Sequence, residues 1–321
     1  MLAYMIQRVL ILIPMLLVIS FLVYLGLELT PGDAVSHMIN PDLVGRISPE
    51  KLDELRETLG LNKTFIERYS IWLFNALQGN FGYSLSGGVA ISEIFLDRLP
   101  ATLELSIAAL LISTLFGCVL GTFSALNKGS LGDSSLTVVG MFGVSIPEFF
   151  FGLVAILIFA LHLSWLPVGG RLMPGYETFW DRLPHLVLPA LVLSLMMTAG
   201  VMRYSRSSML DSLGKEFIVT ARSKGLPEWR INFLHGFRVA LTPVIVLIGF
   251  RLPTLIGGSV IIEEVFQWPG VGKEFVAAVR GADYPLVMMI ALFSVFAMLI
   301  ASLIVDFLTA LIDPRVRLGE G

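Results

Sequence analysis

Residues Thr220 to Pro243 read TARSKGLPEWRINFLHGFRVALTP, a polar, basic, helix-forming passage set between long apolar runs. From Arg203 to Arg238 the chain places seven Lys or Arg. In the first part Leu210, Leu213, Phe217 and Ala221 recur at spacings of three and four, the mark of a narrow apolar stripe on a polar helix. Gly225 stands where a helix ends, and Pro227 stands where the next begins. In the second part Trp229, Phe233, Phe237 and Ala240 form another stripe, with Arg230 and Arg238 off it. If the first helix extends through Gly225, then Ala221 and Gly225 share a face of nearly bare backbone, which another surface can approach closely.

The composition around this passage belongs to a membrane protein. Of 321 residues 55% are hydrophobic and only 15% are charged, against about a quarter charged in soluble domains. The net charge of −3 says little, because in such a chain the distribution of charge matters more than its sum. The single cysteine, Cys118, lies in an apolar run and has no partner for a disulfide and no neighbouring ligands for a metal.

A spanning helix needs ~20 mostly apolar residues. Six stretches qualify: 9–29, 101–126, 134–161, 184–202, 241–262 and 285–311. The first has Arg8 ahead of an apolar run, but it is too long for a secretory signal and no small-x-small cleavage site follows, so it reads as a retained anchor. With both termini inside, the inner segments hold eleven positive residues: Arg8, Lys128, the seven of the basic passage, Arg315 and Arg317. The two short outer connections, 162–183 and 263–284, hold four: Arg171, Arg182, Lys273 and Arg280. That asymmetry places the basic passage in the cytoplasm.

The long outer segment 31–100 reads as folded. Ser48-Pro49-Glu50 offers a cap and a first-turn proline for a helix that stops at Gly60. TFIERYSIWLFNALQ is amphipathic, GNFGYSLSGG is a glycine-rich loop, and ISEIFLDRLP suits an interfacial position. The organisation expected is an anchor plus external segment over 1–100, a five-span core over 101–312 containing the loop 203–240, and a cytoplasmic tail over 313–321.

Chemistry-bearing motifs are sparse. The four histidines, His37, His162, His185 and His235, form no H-E-x-x-H, and no G-x-S-x-G elbow exists, so a membrane enzyme is a poor reading. There is no G-x-x-x-x-G-K-[ST] phosphate loop, so energy from ATP would have to come from another subunit. Intramembrane charges are functional candidates by default: Glu104, Glu148, Arg251 and Asp306. Arg251 sits mid-span, with Pro253 and the small run Gly257-Gly258-Ser259 beyond it. It faces either a translocation path, with Glu104, Gly257 and Gly258, or an ion-pair partner that fixes helix packing. The basic passage itself is a solvated loop or a docking element. A DNA-reading helix-turn-helix is excluded in practice by tethering to spans on both sides.

The segment ARSKG (221–225), followed by His235, Arg238, Ala240 and Pro243, resembles the cytoplasmic coupling loop of permease subunits in binding-protein-dependent ABC importers. Its closest likeness is to the dipeptide/oligopeptide/nickel branch. The broad pattern has Glu-Ala-Ala where this chain has Val219-Thr220-Ala221; the Thr-Ala-Arg-x-Lys-Gly form is the one the peptide branch shows, although that branch often has Asn where Val239 stands. The likeness runs in order along nearly the whole chain, through RVLILIPMLLV and LTPGD (8–33), GLNKTF…GNFGYSL (60–85), RLPATLEL (98–105), GVSIPEF (143–149), WLPVGG (165–170), RYSRSSML (203–210), VIIEEVFQWPGVG (260–272), DYPLV (283–287) and VDFLTALIDPRVR (305–317).

The resemblance implies an all-α integral membrane protein of the inner membrane, with six transmembrane helices, an external insertion after the first and a coupling loop between the fourth and fifth. It implies a non-enzymatic chain without a cofactor of its own. Its partners would be a second permease subunit, two cytoplasmic ATPase subunits that use ATP and Mg2+, an external solute-binding protein and membrane lipid, with no nucleic acid. Thr220, Ala221, Arg222, Lys224 and Gly225 would meet the ATPase, with His235 and Arg238 fixing the second helix. Glu263, Glu264 and Trp268 would face the binding protein. The cargo would be di- or oligopeptides, with nickel or another small solute as the alternative. A stand-alone ion-coupled carrier is the rival account. It explains the spans and not the loop, and no paired inverted repeats are visible.

Overall fold

The structure, a computed structural model, describes residues 2–29, 62–172 and 178–312. The helix expected over 48–60 and the tail 313–321 lie outside the described residues. The described chain is helical: α1 (Leu2–Glu28), α2 (Phe65–Leu77), α3 (Ile91–Leu126), α4 (Leu131–Ser145), α5 (Glu148–Ala155), α6 (Phe179–Leu213), α7 (Glu216–Ser223), α8 (Arg238–Gly258), α9 (Val260–Val265), α10 (Val271–Arg280) and α11 (Tyr284–Ile312). Two π-helical stretches, Ile156–His162 and Arg230–Phe237, continue α5 and lead into α8. The β-structure among the described residues is one isolated bridge between Tyr83 and Ala90.

Four described helices are long and apolar enough to cross a membrane: Ile91–Leu126, Phe179–Leu213, Arg230–Arg251 and Tyr284–Phe307. A fifth is added if Leu131–Gly143 and Glu148–His162 count as one broken span, and Leu10–Gly26 is a shorter apolar helix. Where one uninterrupted helix was expected over 134–161, the chain bends by 101°. Pro147 explains the bend. It has no N–H to continue the ladder, and its ring pushes the preceding residue out of the α region; Ile146 is extended at φ −95°, ψ 131°. The ISEIFLDRLP stretch forms the opening turns of α3. At 36 residues and 1.5 Å per residue that helix is ~54 Å long, well beyond a ~30 Å hydrocarbon core.

α3 and α6 form the most extensive helix pair, and small residues make it possible. Gly117 and Gly121 bring the backbone of α3 against Val201, Met202 and Ser205 of α6. α4 packs on α6, α8 on α11 and α6, and α1 on α11. α2 crosses α1 through an aromatic cluster in which Phe65, Tyr69 and Trp72 meet Phe21 and Tyr24 at 5.4–5.7 Å between ring centroids.

The glycine-rich loop is pinned by a residue that sequence reading did not single out. Asp283, buried just ahead of α11, accepts from Ser84 Oγ (2.5 Å), Ser86 Oγ (3.1 Å) and Ser86 N (3.3 Å) with one oxygen, and from Leu286 N (3.3 Å) with the other. It therefore caps α11 and holds a loop far away in sequence, with Ser84 199 positions earlier. Asp283→Ala strands these donors, each at about 1–3 kcal/mol if left buried. The expected result is rapid amide exchange and proteolytic cutting at 84–88, with the helices intact. Unchanged exchange there would show that the carboxylate does not hold the loop.

Candidate functional site

The basic passage folds as two arms around a tight turn. α6 ends at Leu213, Gly214 caps it, and α7 begins after Lys215, so the stripe from Leu210 to Ala221 spans two helices rather than one. Gly225 lies beyond the end of α7, at φ +74° with open space around it. The bare face expected from Ala221 and Gly225 is therefore not formed: the glycine serves the left-handed turn that ends a helix. Ala221 is only 7% exposed and packs inside the loop with Ile218 and Ile231, both fully buried. These isoleucines are the inward pins of the two arms, and neither belongs to the stripes read from spacing.

The remaining loop residues face outward. Trp229 is 62% exposed, Phe233 54% and Leu234 59%, with Val219 also exposed. Of the apolar stripe read through Trp229, Phe233, Phe237 and Ala240, only the far end is turned inward, with Phe237 half-buried and Ala240 buried. Arg222, Lys224, Arg230 and Arg238 are exposed as well, and the Arg230 guanidinium lies 5.3 Å from the Trp229 ring. Arg222 donates two bonds to Glu228, Nε to Oε1 at 2.8 Å and Nη2 to Oε2 at 3.2 Å. That pairing holds the Glu228 carboxyl below the usual carboxylate range and raises Arg222. Thr220 Oγ1 turns back to Glu216 O at 3.1 Å, and His235 is half-buried.

Exposed apolar and cationic side chains together on one loop are the composition of a partner site. Exposed ion pairs such as Arg222–Glu228 contribute little and exchange readily, so a partner's carboxylate can take the place of Glu228.

At the opposite end of the bundle, two of the three expected docking residues are interior. Glu263 and Trp268 are 0% exposed, so neither presents a surface to a second protein. Glu263 accepts from Thr102 Oγ1 (2.8 Å) and Ser259 Oγ (2.9 Å) with Oε1, and from Lys273 N (3.0 Å) with Oε2. Thr102 Oγ1 in turn accepts from Val271 N at 2.8 Å, and Trp268 Nε1 donates to Ala101 O at 2.8 Å. The glycines of WPGVG make room: a Cβ on Gly270 would overlap the Glu263 carboxylate, and one on Gly272 would lie 2.6 Å from Val260 Cα. Both residues looked like loop groups because local hydropathy does not report what a distant helix covers. Glu264 alone stays partly exposed, paired with Arg280 at 2.9 Å.

The path candidates separate in the same way. Glu104 is engaged by Arg171, Nη2 to Oε2 at 2.6 Å, and ties α3 to the connection after α5. Arg251 lies in α8 with its guanidinium over Gly200 of α6, where a Cβ would collide with Nη2. Gly257 and Gly258 fall in the last turn of α8, in a stretch whose side-chain surroundings lie outside the described residues. His185 Nδ1 donates to Gly169 O at 3.1 Å, a structural bond. Among the described residues no group of three or more His, Cys, Asp or Glu could hold a metal ion.

Two family descriptions match the chain: binding-protein-dependent transport system inner membrane component over residues 113–318, and the N-terminal part of such membrane components over residues 1–106. The chain is 40% identical over 317 residues to the oligopeptide transport system permease protein AppB of Bacillus subtilis (strain 168), covering 98% of this chain and 99% of that one. It is 36% identical to the di/tripeptide transport system permease protein DppB of Pseudomonas aeruginosa (strain UCBPP-PA14) and 32% identical to the dipeptide transport system permease protein DppB of Escherichia coli (strain K12), in both cases over 99% of each chain. Among solved structures, an amino acid ABC transporter shares the fold with a TM-score of 0.50 at 17% identity, covering 68% of this chain and 94% of that one.

Proposed function

The chain belongs to the family of binding-protein-dependent transport system inner membrane components, and from that premise we propose that it is one permease subunit of an ABC importer of short peptides. Six spans are assigned by adding α1 and the broken α4–α5 pair to the four long apolar helices. The basic loop then lies in the cytoplasm, where the excess of Lys and Arg belongs. The chain forms half of the translocation path beside a second permease subunit. Two ATPase subunits using ATP and Mg2+ act from the cytoplasm, and a solute-binding protein delivers peptide from outside. Names of relatives along their full lengths support the peptide cargo.

The observation that carries the coupling role is the set of exposed apolar side chains Val219, Trp229, Phe233 and Leu234 on the same loop as exposed Arg222, Lys224 and Arg230. It stands on two arms pinned by Ile218 and Ile231, and the second arm runs without a break into α8. Closure of the ATPase pair pulling on this loop would act directly on α6 and α8.

The test is copurification in mild detergent. Wild type should bring down a companion permease and an ATPase, and Arg222→Glu with Lys224→Glu should keep the companion and lose most of the ATPase. Retention of ATPase by the charge-reversed loop would remove the docking assignment. A bulky residue at Gly225 is the wrong probe, because it strains a positive-φ turn whatever the loop touches.

A further inference from the structure

A polar groove of about 280 Å³ opens between the basic-loop end of α6 and the start of α8. One wall carries Tyr204, Ser207, Ser208, Asp211 and Lys215; Val239 and Pro243 stand opposite. These polar residues belong to, or directly follow, a helix apolar enough to cross a membrane, so this face meets water or another molecule rather than hydrocarbon.

Among the described residues most of the groove's polar side chains are unused. Higher on α6, Ser194 and Thr198 turn their hydroxyls back to the carbonyls of Leu191 and Ser194, both at 2.8 Å. Ser212, at the floor, donates to Gly236 O at 2.9 Å. In contrast, the side chains of Tyr204, Ser207 and Ser208 make no hydrogen bond among the described residues, and Asp211 and Lys215 take part in no ion pair. The groove thus offers one carboxylate, one ammonium and three free hydroxyls.

The two opposite charges restrict the occupant to a ligand that carries both an amino group and a carboxylate. Asp211 lies in the last turn of α6 and Lys215 just beyond its cap, four positions later in sequence.

We infer that this groove binds the zwitterionic backbone of a short peptide at the cytoplasmic mouth of the path, with the amino group on Asp211, the carboxylate on Lys215 and the hydroxyls on the peptide amides. The inference rests on the peptide-importer reading. Recognition through termini and amides is indifferent to side chains, as passage of varied peptides requires. The same site is where arriving cargo accumulates, so peptide held there opposes further transport.

The test uses the complex purified from its native membrane, in nanodiscs and without binding protein. Ser207→Cys places a thiol in the groove; the native Cys118 is buried, so maleimide labelling of this chain reports position 207. Alanyl-alanine should slow labelling about tenfold once it exceeds its Kd about tenfold. Its N-acetyl amide should not, and adding Asp211→Asn or Lys215→Gln should remove the protection. Equal protection by the blocked dipeptide, or none by the free one, overturns the inference. So does a thiol that reacts in the isolated chain and not in the complex, which would show the companion subunit covering the groove. Dipeptide uptake by the same complex with its binding protein in proteoliposomes separates the two levels. Uptake without protection sinks the groove alone, whereas no uptake sinks the peptide reading beneath it.

Discussion

Gly121→Leu is expected to abolish accumulation of the folded chain. A Cβ at Gly121 would lie 2.5 Å from the carbonyl oxygen of Met202, 2.7 Å from Ser205 Cβ and 3.0 Å from Arg206 N. Two of those atoms are backbone, so no rotamer change relieves the overlap and the helices must separate. Gly117, one turn earlier, would place its Cβ 2.6 Å from Val201 Cβ, so the whole α3–α6 seam is built at backbone contact. Even Gly121→Ala should cost about 1–3 kcal/mol as overpacking. The control is Gly143→Ala on α4, which has nothing within 4 Å; it gains helix propensity of about 0.8–1 kcal/mol. Melting in detergent, followed by the monodisperse fraction, should rank Gly143→Ala at or above wild type, then Gly121→Ala, with Gly121→Leu absent. A leucine variant that melts with wild type would show that the seam is not closed as described.

Glu263→Ala is the second large loss. The carboxylate satisfies two hydroxyls and one backbone N–H drawn from α3, the end of α8 and α10. Removing it strands those donors in a buried site, at about 1–3 kcal/mol each, and opens a void that Gly270 and Gly272 cannot fill. Glu263→Gln should fall between alanine and wild type: Oε1 still serves Thr102 and Ser259, but its amide meets the Lys273 N–H donor to donor. Glu264→Ala, breaking a partly exposed pair with Arg280, should be near neutral. Melting temperature and peptide uptake should fall together for Glu263→Ala and hold for Glu264→Ala. An alanine variant with wild-type melting would deny the site its role as a junction of three helices.

Membrane class and the two-armed loop were legible in the residues, because both rest on runs and breakers: long apolar stretches, and Gly225 with Pro227 between polar helices. The orientation of side chains within those helices was not. In a membrane chain apolar residues face lipid, partner and interior alike, so the spacing that put Trp229 and Phe233 on one stripe could not say which way it faces, nor single out Ile218 and Ile231 as the buried pins. Glu263 and Trp268 looked like outer-loop groups because the residues that enclose them, Ala101 and Thr102, lie some 160 positions earlier. The 101° bend at Pro147 had a visible signal, a proline within an apolar run, and the hydropathy average passed over it. The Gly117–Gly121 spacing on α3 was a further signal, the small-xxx-small pattern of close helix contact. Of the candidate site, the cations Arg222, Lys224 and Arg230 were read from sequence, whereas the exposure of Trp229, Phe233 and Leu234 beside them needed three dimensions.

The stretch Arg230–Phe237 enters α8 with no cap between them; Phe237 lies at φ −64°, ψ −40° and Arg238 at φ −58°, ψ −41°. A π turn closes its hydrogen bond over one residue more than an α turn. Passing that extra residue along the helix exchanges each carbonyl acceptor for its neighbour, so bonds are re-made in sequence rather than lost. Such a shift would turn the loop tip about the axis of α8, so a pull on the tip would become a twist of the span at nearly constant hydrogen bonding.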